Sequence, residues 1–304
     1  MNTGVVAGLF TGIQIGAVIF ASQFLVDEMG VGLFGLLRYA IALLVLIPLF
    51  LIKPRTLIDR DDWLIIALLG IGQVAVMAIL LNTAVLYTSG ARVALVFATL
   101  PAVSFIIDKL RNNTPANWRI SVGITLTISS VVMLVGYDVI TDAFSVSDMI
   151  GVTATFTATV VVAICSSWYK PYVKRYGKVQ ISVIAFGVSL IPLAFFAYLF
   201  PSSTPVASWS ISAWWLLVCI GLSSGLGYLL WFHAVSTLSA TTVTGFLALS
   251  PIAAAVLSLV FSSSAFTPSL IASVFLVSLG IGFFAYSNTK EQPAVCQNEK
   301  YNVQ

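Results

Sequence analysis

Seven side chains that can hydrogen-bond without carrying a charge sit deep in apolar runs of this sequence: Gln14, Gln73, Thr99, Ser166, Tyr228, Trp231 and Thr244. Inside lipid such groups must find partners in the protein, because no water is there to satisfy them. Gathered in one cavity among aromatic rings, they would suit a small zwitterion or an amphipathic solute. The competing explanation is polar contact between neighbouring helices, which is worth only about 0.6 kcal/mol on average. That explanation serves for most single Ser or Thr residues. A Gln amide is costlier to leave unpaired, so Gln14 and Gln73 point more firmly to a cavity, while Asn82 lies nearer the end of its run. Threonines 153, 155, 157 and 159 alternate and cannot share one helix face.

Charged groups are rare in the same runs. Arg38 and Arg92 are the basic residues placed inside them, and each is a candidate gate or structural residue. Charges in lipid are costly and often functional, but a long basic side chain near a helix end also snorkels to the headgroups. The sole histidine, His233, titrates near neutral pH in its ordinary state, and Asp108 stands at the end of a run. These two are the coupling candidates. No Asp or Glu lies mid-run, which favours facilitated diffusion or exchange over an acid relay. Pro101 and Pro251 fall within runs and are expected to loosen their helices.

"GLSSG" at 221–225 fits the G-x-S-x-G pattern of serine hydrolases. That pattern needs a strand-to-helix turn and a reachable His. Ser223 and His233 are ten residues apart, roughly 15 Å along a helix. The glycines Gly221, Gly225 and Gly227 are better explained as points of close helix approach. Cys165, Cys219 and Cys296 show no disulfide or metal spacing, and nothing implies a cofactor.

The elements that must position these residues follow from composition. The 304 residues are 59% hydrophobic and 8% charged, against about 25% charged in a typical soluble domain. Lipid must therefore be the solvent for most of the chain. Ten spans are expected, at roughly 4–25, 32–52, 63–87, 90–108, 119–137, 149–169, 179–199, 212–232, 241–261 and 268–287. The first is read as a retained span, because the basic start and cleavage site of a signal peptide are missing. Trp168 and Tyr169 are expected to be interfacial anchors. Lys53, Arg55, Arg60, Lys109, Arg111, Arg119, Lys170, Lys174, Arg175, Lys178, Lys290 and Lys300 all fall on one side of such a bundle. That side should be cytoplasmic, with both termini inside. A net charge of +3 gives no footing for nucleic acid.

Residues 82–101, "NTAVLYTSGARVALVFATLP", overlay residues 232–251, "FHAVSTLSATTVTGFLALSP", at an offset of 150. Ala84, Val85, Ser89, Val93, Ala98 and Pro101 meet Ala234, Val235, Ser239, Val243, Ala248 and Pro251. Five spans separate the copies, an odd number, so the halves should be inverted, as in many secondary transporters. The carrying stretches are "LLRYAIALLVLIP" at 36–48, "AVLYTSGARVALVFATLPAV" at 84–103 and "YLLWFHAVSTLSATTVTGFLALSPIAAAV" at 228–256. Through these the chain resembles the drug/metabolite transporter superfamily in its ten-span form of two EamA-type repeats. Tyr87, Thr88, Ser89, Arg92 and Pro101 match the family's fourth span, and Arg38 matches the Arg of its second. Ile15-Gly16 and Gln23 stand where the family often has Trp-Gly and a Lys. The resemblance implies an all-α integral membrane protein with two inverted five-helix repeats, over 1–143 and 144–289, and a cytoplasmic polar tail at 290–304. It implies a carrier exporting small organic metabolites such as amino acids across a plasma (inner) membrane by alternating access. Its partners would be a small-molecule substrate and the lipid bilayer, and a bundle of this kind can be complete as a monomer. A channel or a non-transporting scaffold is the alternative.

Overall fold

Eight of the expected spans coincide with helices long and apolar enough to cross a membrane, among the residues described by this computed structural model. Those residues are 3–52, 56–112, 118–140, 145–202, 204–238, 243, 246, 249–261, 268–269, 271–280 and 282–283. The spans are α1 (Thr3–Met29), α2 (Val31–Ile52), α3 (Arg60–Tyr87), the broken pair α4 (Gly90–Phe97) and α5 (Leu100–Asn112), α6 (Trp118–Ile140), α7 (Val146–Tyr176), α8 (Lys178–Leu199) and α9 (Ile211–Thr237). In the regions of the ninth and tenth expected spans lie α10 (Leu249–Phe261) and the shorter apolar helix α11 (Ile271–Gly280). Much of the remainder of those two regions is outside the described residues. Among the described residues the regular structure is entirely helical.

The fourth span breaks where its sequence requires. Pro101 has no N–H to donate, its ring excludes the carbonyl of Phe97, and it disfavours helical geometry at the residue before it. The chain opens at Ala98 and Thr99, and the Thr99 N–H donates to Val96 O at 3.1 Å, a tighter turn. Thr99 O then accepts from the N–H of Ala102 (2.9 Å) and Val103 (3.1 Å), which starts α5.

Contacts at helix ends fix the direction of six of these spans. At one end Asn82 Nδ2 donates to Val31 O (3.1 Å), Gly90 N–H donates to Gln23 Oε1 (3.2 Å), and Arg92 pairs with Asp148. At the other end His233 Nε2 lies 3.3 Å from Thr3 Oγ1, Ser167 donates to Asp108 at 2.5 Å, and Arg175 pairs with Asp59 and Asp62. α1 and α3 therefore run one way, and α2, the α4–α5 pair, α7 and α9 run the other, so α3 is opposite to α9.

Two of the reversals use a single residue. Gly30 (φ +75°) joins α1 to α2, and Gly177 (φ +83°) joins α8 to α7. Only glycine adopts such angles without strain. Gly177 has open space around it, so adding a methyl there tests the backbone alone. Gly177→Ala should cost about 1–3 kcal/mol. A thermal unfolding midpoint equal to that of the parent, measured in detergent, would refute this.

Helix packing rests on small residues, since lipid tails are as apolar as the helix surfaces and provide little drive for association. α2 lies between α8 and α9, and α3 lies between α7 and α8. α1 packs on α9 and α10, and its stripe of Gly4, Gly8, Gly12 and Gly16 meets Thr237 at the end of α9, Phe246, and Leu249 and Ser250 at the start of α10. Tyr169 corrects an expectation. It is fully buried and donates to Ile66 O at 2.9 Å, because the C-terminal part of α7 packs on α3 instead of facing the interface. Trp168 is exposed, with Arg111 stacked 5.7 Å from its ring.

Candidate functional site

α1, α2, α3, α4, α7 and α9 surround a cavity. Four of the seven uncharged candidates line it: Gln14 on α1, Gln73 on α3, and Tyr228 and Trp231 on α9. Arg38 on α2 lines it as well. Ser166 stands one bond behind, donating to Gln73 Oε1 at 3.3 Å. Thr99 does not line the cavity; its hydroxyl returns to Val96 O at 2.7 Å and serves the break in the fourth span. Thr244 lies outside the described residues.

A local irregularity sets the position of Gln73. Residues Ile71–Val76 form a π-turn within α3. Such turns add a residue, leave carbonyls without their usual partners and recur at functional sites. Here Ser189 Oγ donates to Gly70 O at 3.0 Å, and Tyr228 OH donates to Gln73 O at 2.8 Å. The turn is thus stabilised by hydroxyls from α8 and α9. Gly70 permits this approach, since a Cβ there would lie 2.8 Å from the Ala185 backbone.

Glycines of α9 shape the opposite wall. A Cβ at Gly227 would lie 2.5 Å from Gln14 Oε1, so its absence makes room for that amide. Cβ atoms at Gly221 and Gly225 would lie 2.7 Å from Ile41 and 3.0 Å from Ala42 O. The resulting close crossing of α2 and α9 brings Arg38 Nε to 2.8 Å from Ser224 Oγ. The "GLSSG" stretch is continuous helix and His233 bonds elsewhere, so it forms no nucleophile elbow. Behind this wall Tyr39, Phe186, Tyr228, Phe232 and Tyr169 form a chain of edge-to-face and tilted ring contacts. Each such pair contributes about 0.5–1.5 kcal/mol beyond area burial.

Arg92 has a different setting. Its NH1 donates to Asp148 Oδ1 at 2.5 Å, and Thr88 Oγ1 donates to the same oxygen at 2.6 Å. Asp148 Oδ2 accepts from Ser145 N–H and hydroxyl, closing the capping box that starts α7. This cluster ties the ends of α3 and α4 to the start of α7. Pro101 lies in α5 and Pro251 in α10, and neither lines the cavity. Asp108 and His233 do not line it either.

Thr11, Ser22, Asn82 and Ser224 line the cavity in addition. Thr11, Gln14, Ile15, Val18 and Ser22 recur at helical spacing on one face of α1, a pattern that was available from the sequence.

Both halves of the chain contribute to this cavity, and both match one profile. That of the EamA-like transporter family aligns twice, over residues 2–136 and 149–286. The chain belongs to the EamA-like transporter family. It is accordingly a multi-pass membrane transporter of the drug/metabolite type. A protein of known crystal structure is similar to this EamA-like chain at 15% identity, with a TM-score of 0.72, over 95% of this chain and 99% of that one. That likeness concerns the fold. No curated protein matches the chain.

Proposed function

We propose that this EamA-like chain is a secondary carrier that exports small organic metabolites such as amino acids by alternating access. The observation that carries the reading is the cavity itself. Helices from both matched segments wall it, with amides and hydroxyls set among aliphatic and aromatic side chains. The proposed architecture is ten spans in two inverted five-helix halves, 1–143 and 144–289. The twofold profile match and the opposite runs of α3 and α9 support it. The end of the bundle that holds Lys109, Arg111, Lys174 and Arg175 would face the cytoplasm of a plasma (inner) membrane. The tail at 290–304 would lie on that side. The chain works as a monomer in this reading, with lipid and solute as its partners.

The test is flux of labelled amino acids into liposomes that hold the purified chain, with and without a pH gradient. Saturable flux of one class supports the carrier. Flux that follows the pH gradient makes His233 or Asp108 the coupling residue. Non-saturable flux identifies a channel, and absence of flux for every solute tried favours a scaffold. Bending at the prolines has its own test. Pro101→Ala restores a donor at the break and should slow flux several-fold while leaving the protein folded. Unchanged rates in Pro101→Ala, Pro251→Ala and the double variant would remove proline bending from the mechanism.

A further inference from the structure

The two arginines placed within spans are neutralised differently. Arg92 has Asp148 at 2.5 Å. Arg38 is the one charged side chain among the described residues lining the cavity, and no described carboxylate pairs with it. The segment 239–248, only partly described, reads "SATTVTGFLA" and contains no acid that could reach it.

The bonds of Arg38 leave one edge of its guanidinium open. Nε donates to Ser224 Oγ at 2.8 Å. Ser224 is fixed as the acceptor, because its own hydroxyl donates to Ile220 O at 2.7 Å. The guanidinium carbon lies 5.0 Å from the centre of the Tyr39 ring, which supports one face of the group. The two terminal amino groups have no hydrogen-bond partner among the described residues. Paired N–H groups of this kind match the two oxygens of a carboxylate. A cation left unpaired among apolar walls is costly, and an anionic ligand relieves that cost. The rest of the wall, including Ile15, Val18, Met77, Leu81 and Phe97, suits a hydrocarbon body.

We propose that Arg38 anchors the carboxylate of the transported solute, and that the substrate class is an organic acid with an apolar body. This rests on the carrier reading and narrows it. Free amino acids satisfy the requirement through their α-carboxylate. Amines without a carboxylate do not, because no acid in the cavity receives them.

The test compares phenylacetate, its neutral isostere phenylacetamide, and phenethylamine, by calorimetric titration of the purified full chain. Phenylacetate should bind at least about tenfold more tightly than the amide, the size of a charge-assisted bond. Phenethylamine should bind least. Arg38→Gln should erase the preference for the carboxylate, and Arg38→Lys should keep part of it. Equal binding of acid and amide, tightest binding of the amine, or no binding of phenylacetate overturns the proposal with the parent protein alone. A folded Arg38→Gln variant that keeps the preference overturns it as well. Flux separates this from the carrier reading. Saturable flux of neutral solutes alone removes the Arg38 anchor and leaves the carrier. Carboxylate binding without flux of any solute keeps the anchor and removes the carrier.

Discussion

Asp148→Asn should destabilise the protein by about 3 kcal/mol, the scale expected for breaking a largely buried ion pair from one side. The substitution is isosteric, yet the hydrogen-bond pattern makes it severe. Asp148 Oδ1 accepts from Arg92 and Thr88, and Oδ2 accepts from the Ser145 N–H and hydroxyl. All four partners donate. An asparagine must turn its NH2 toward one pair of donors, whichever way it flips. It also removes the charge opposite Arg92, whose side chain is only 21% exposed, and the charge at the N-terminus of α7. Thr88→Val should cost less, because the carboxylate keeps three donors. The double variant Asp148→Asn/Arg92→Gln should recover part of the loss, since no unpaired cation then remains. Thermal unfolding in detergent measures all three. If Asp148→Asn unfolds with the parent, the cluster is a surface contact without structural weight. Arg175 at the other end is 59% exposed, so the loss of its pairs should be smaller.

How far the sequence specified this molecule differs from feature to feature. The positions of eight spans were legible because twenty-residue apolar runs have few alternatives in lipid. The break in the fourth span was legible because proline acts locally, through its missing N–H and its ring. Gln14 and Gln73 were legible as cavity residues because amides are costly to bury unpaired. The π-turn that positions Gln73 was not. It depends on Ser189 and Tyr228, more than a hundred residues away in the chain, and no local pattern announces them. Thr99 shows the reverse error. Its depth in the span suggested a cavity, but a Thr hydroxyl satisfies itself on a carbonyl three residues back. The two arginines were both gate or structural candidates in sequence and proved unlike in the fold. Which one met a carboxylate was decided by where α7 begins, which only the packing shows.

Gly12 and Gly16 bring the consequence of close packing to the cavity. A Cβ at Gly12 would lie 2.0 Å from Phe246 O, and one at Gly16 would lie 2.1 Å from Ser250 O. Those obstacles are backbone atoms, which cannot rotate aside as a side-chain tip does. Gly16→Ala should therefore separate α1 from α10 and cost about 1–3 kcal/mol, although alanine is the better helix former. Gly12→Ala should behave alike. The pair should cost less than the sum, because the first methyl already opens the seam for the second. Gly136 and Gly187 are the controls. Nothing lies within 4 Å of a Cβ at either, so alanine there should be neutral or stabilising. Thermal unfolding of the five variants decides the matter, and equal midpoints for Gly16→Ala and Gly136→Ala would show that the seam yields freely. The effect should also reach the solute. Gln14 and Val18 stand on the same helix as the stripe and line the cavity. A shift of α1 moves the Gln14 amide away from the gap left by Gly227, so Gly16→Ala should weaken solute binding as well as the fold.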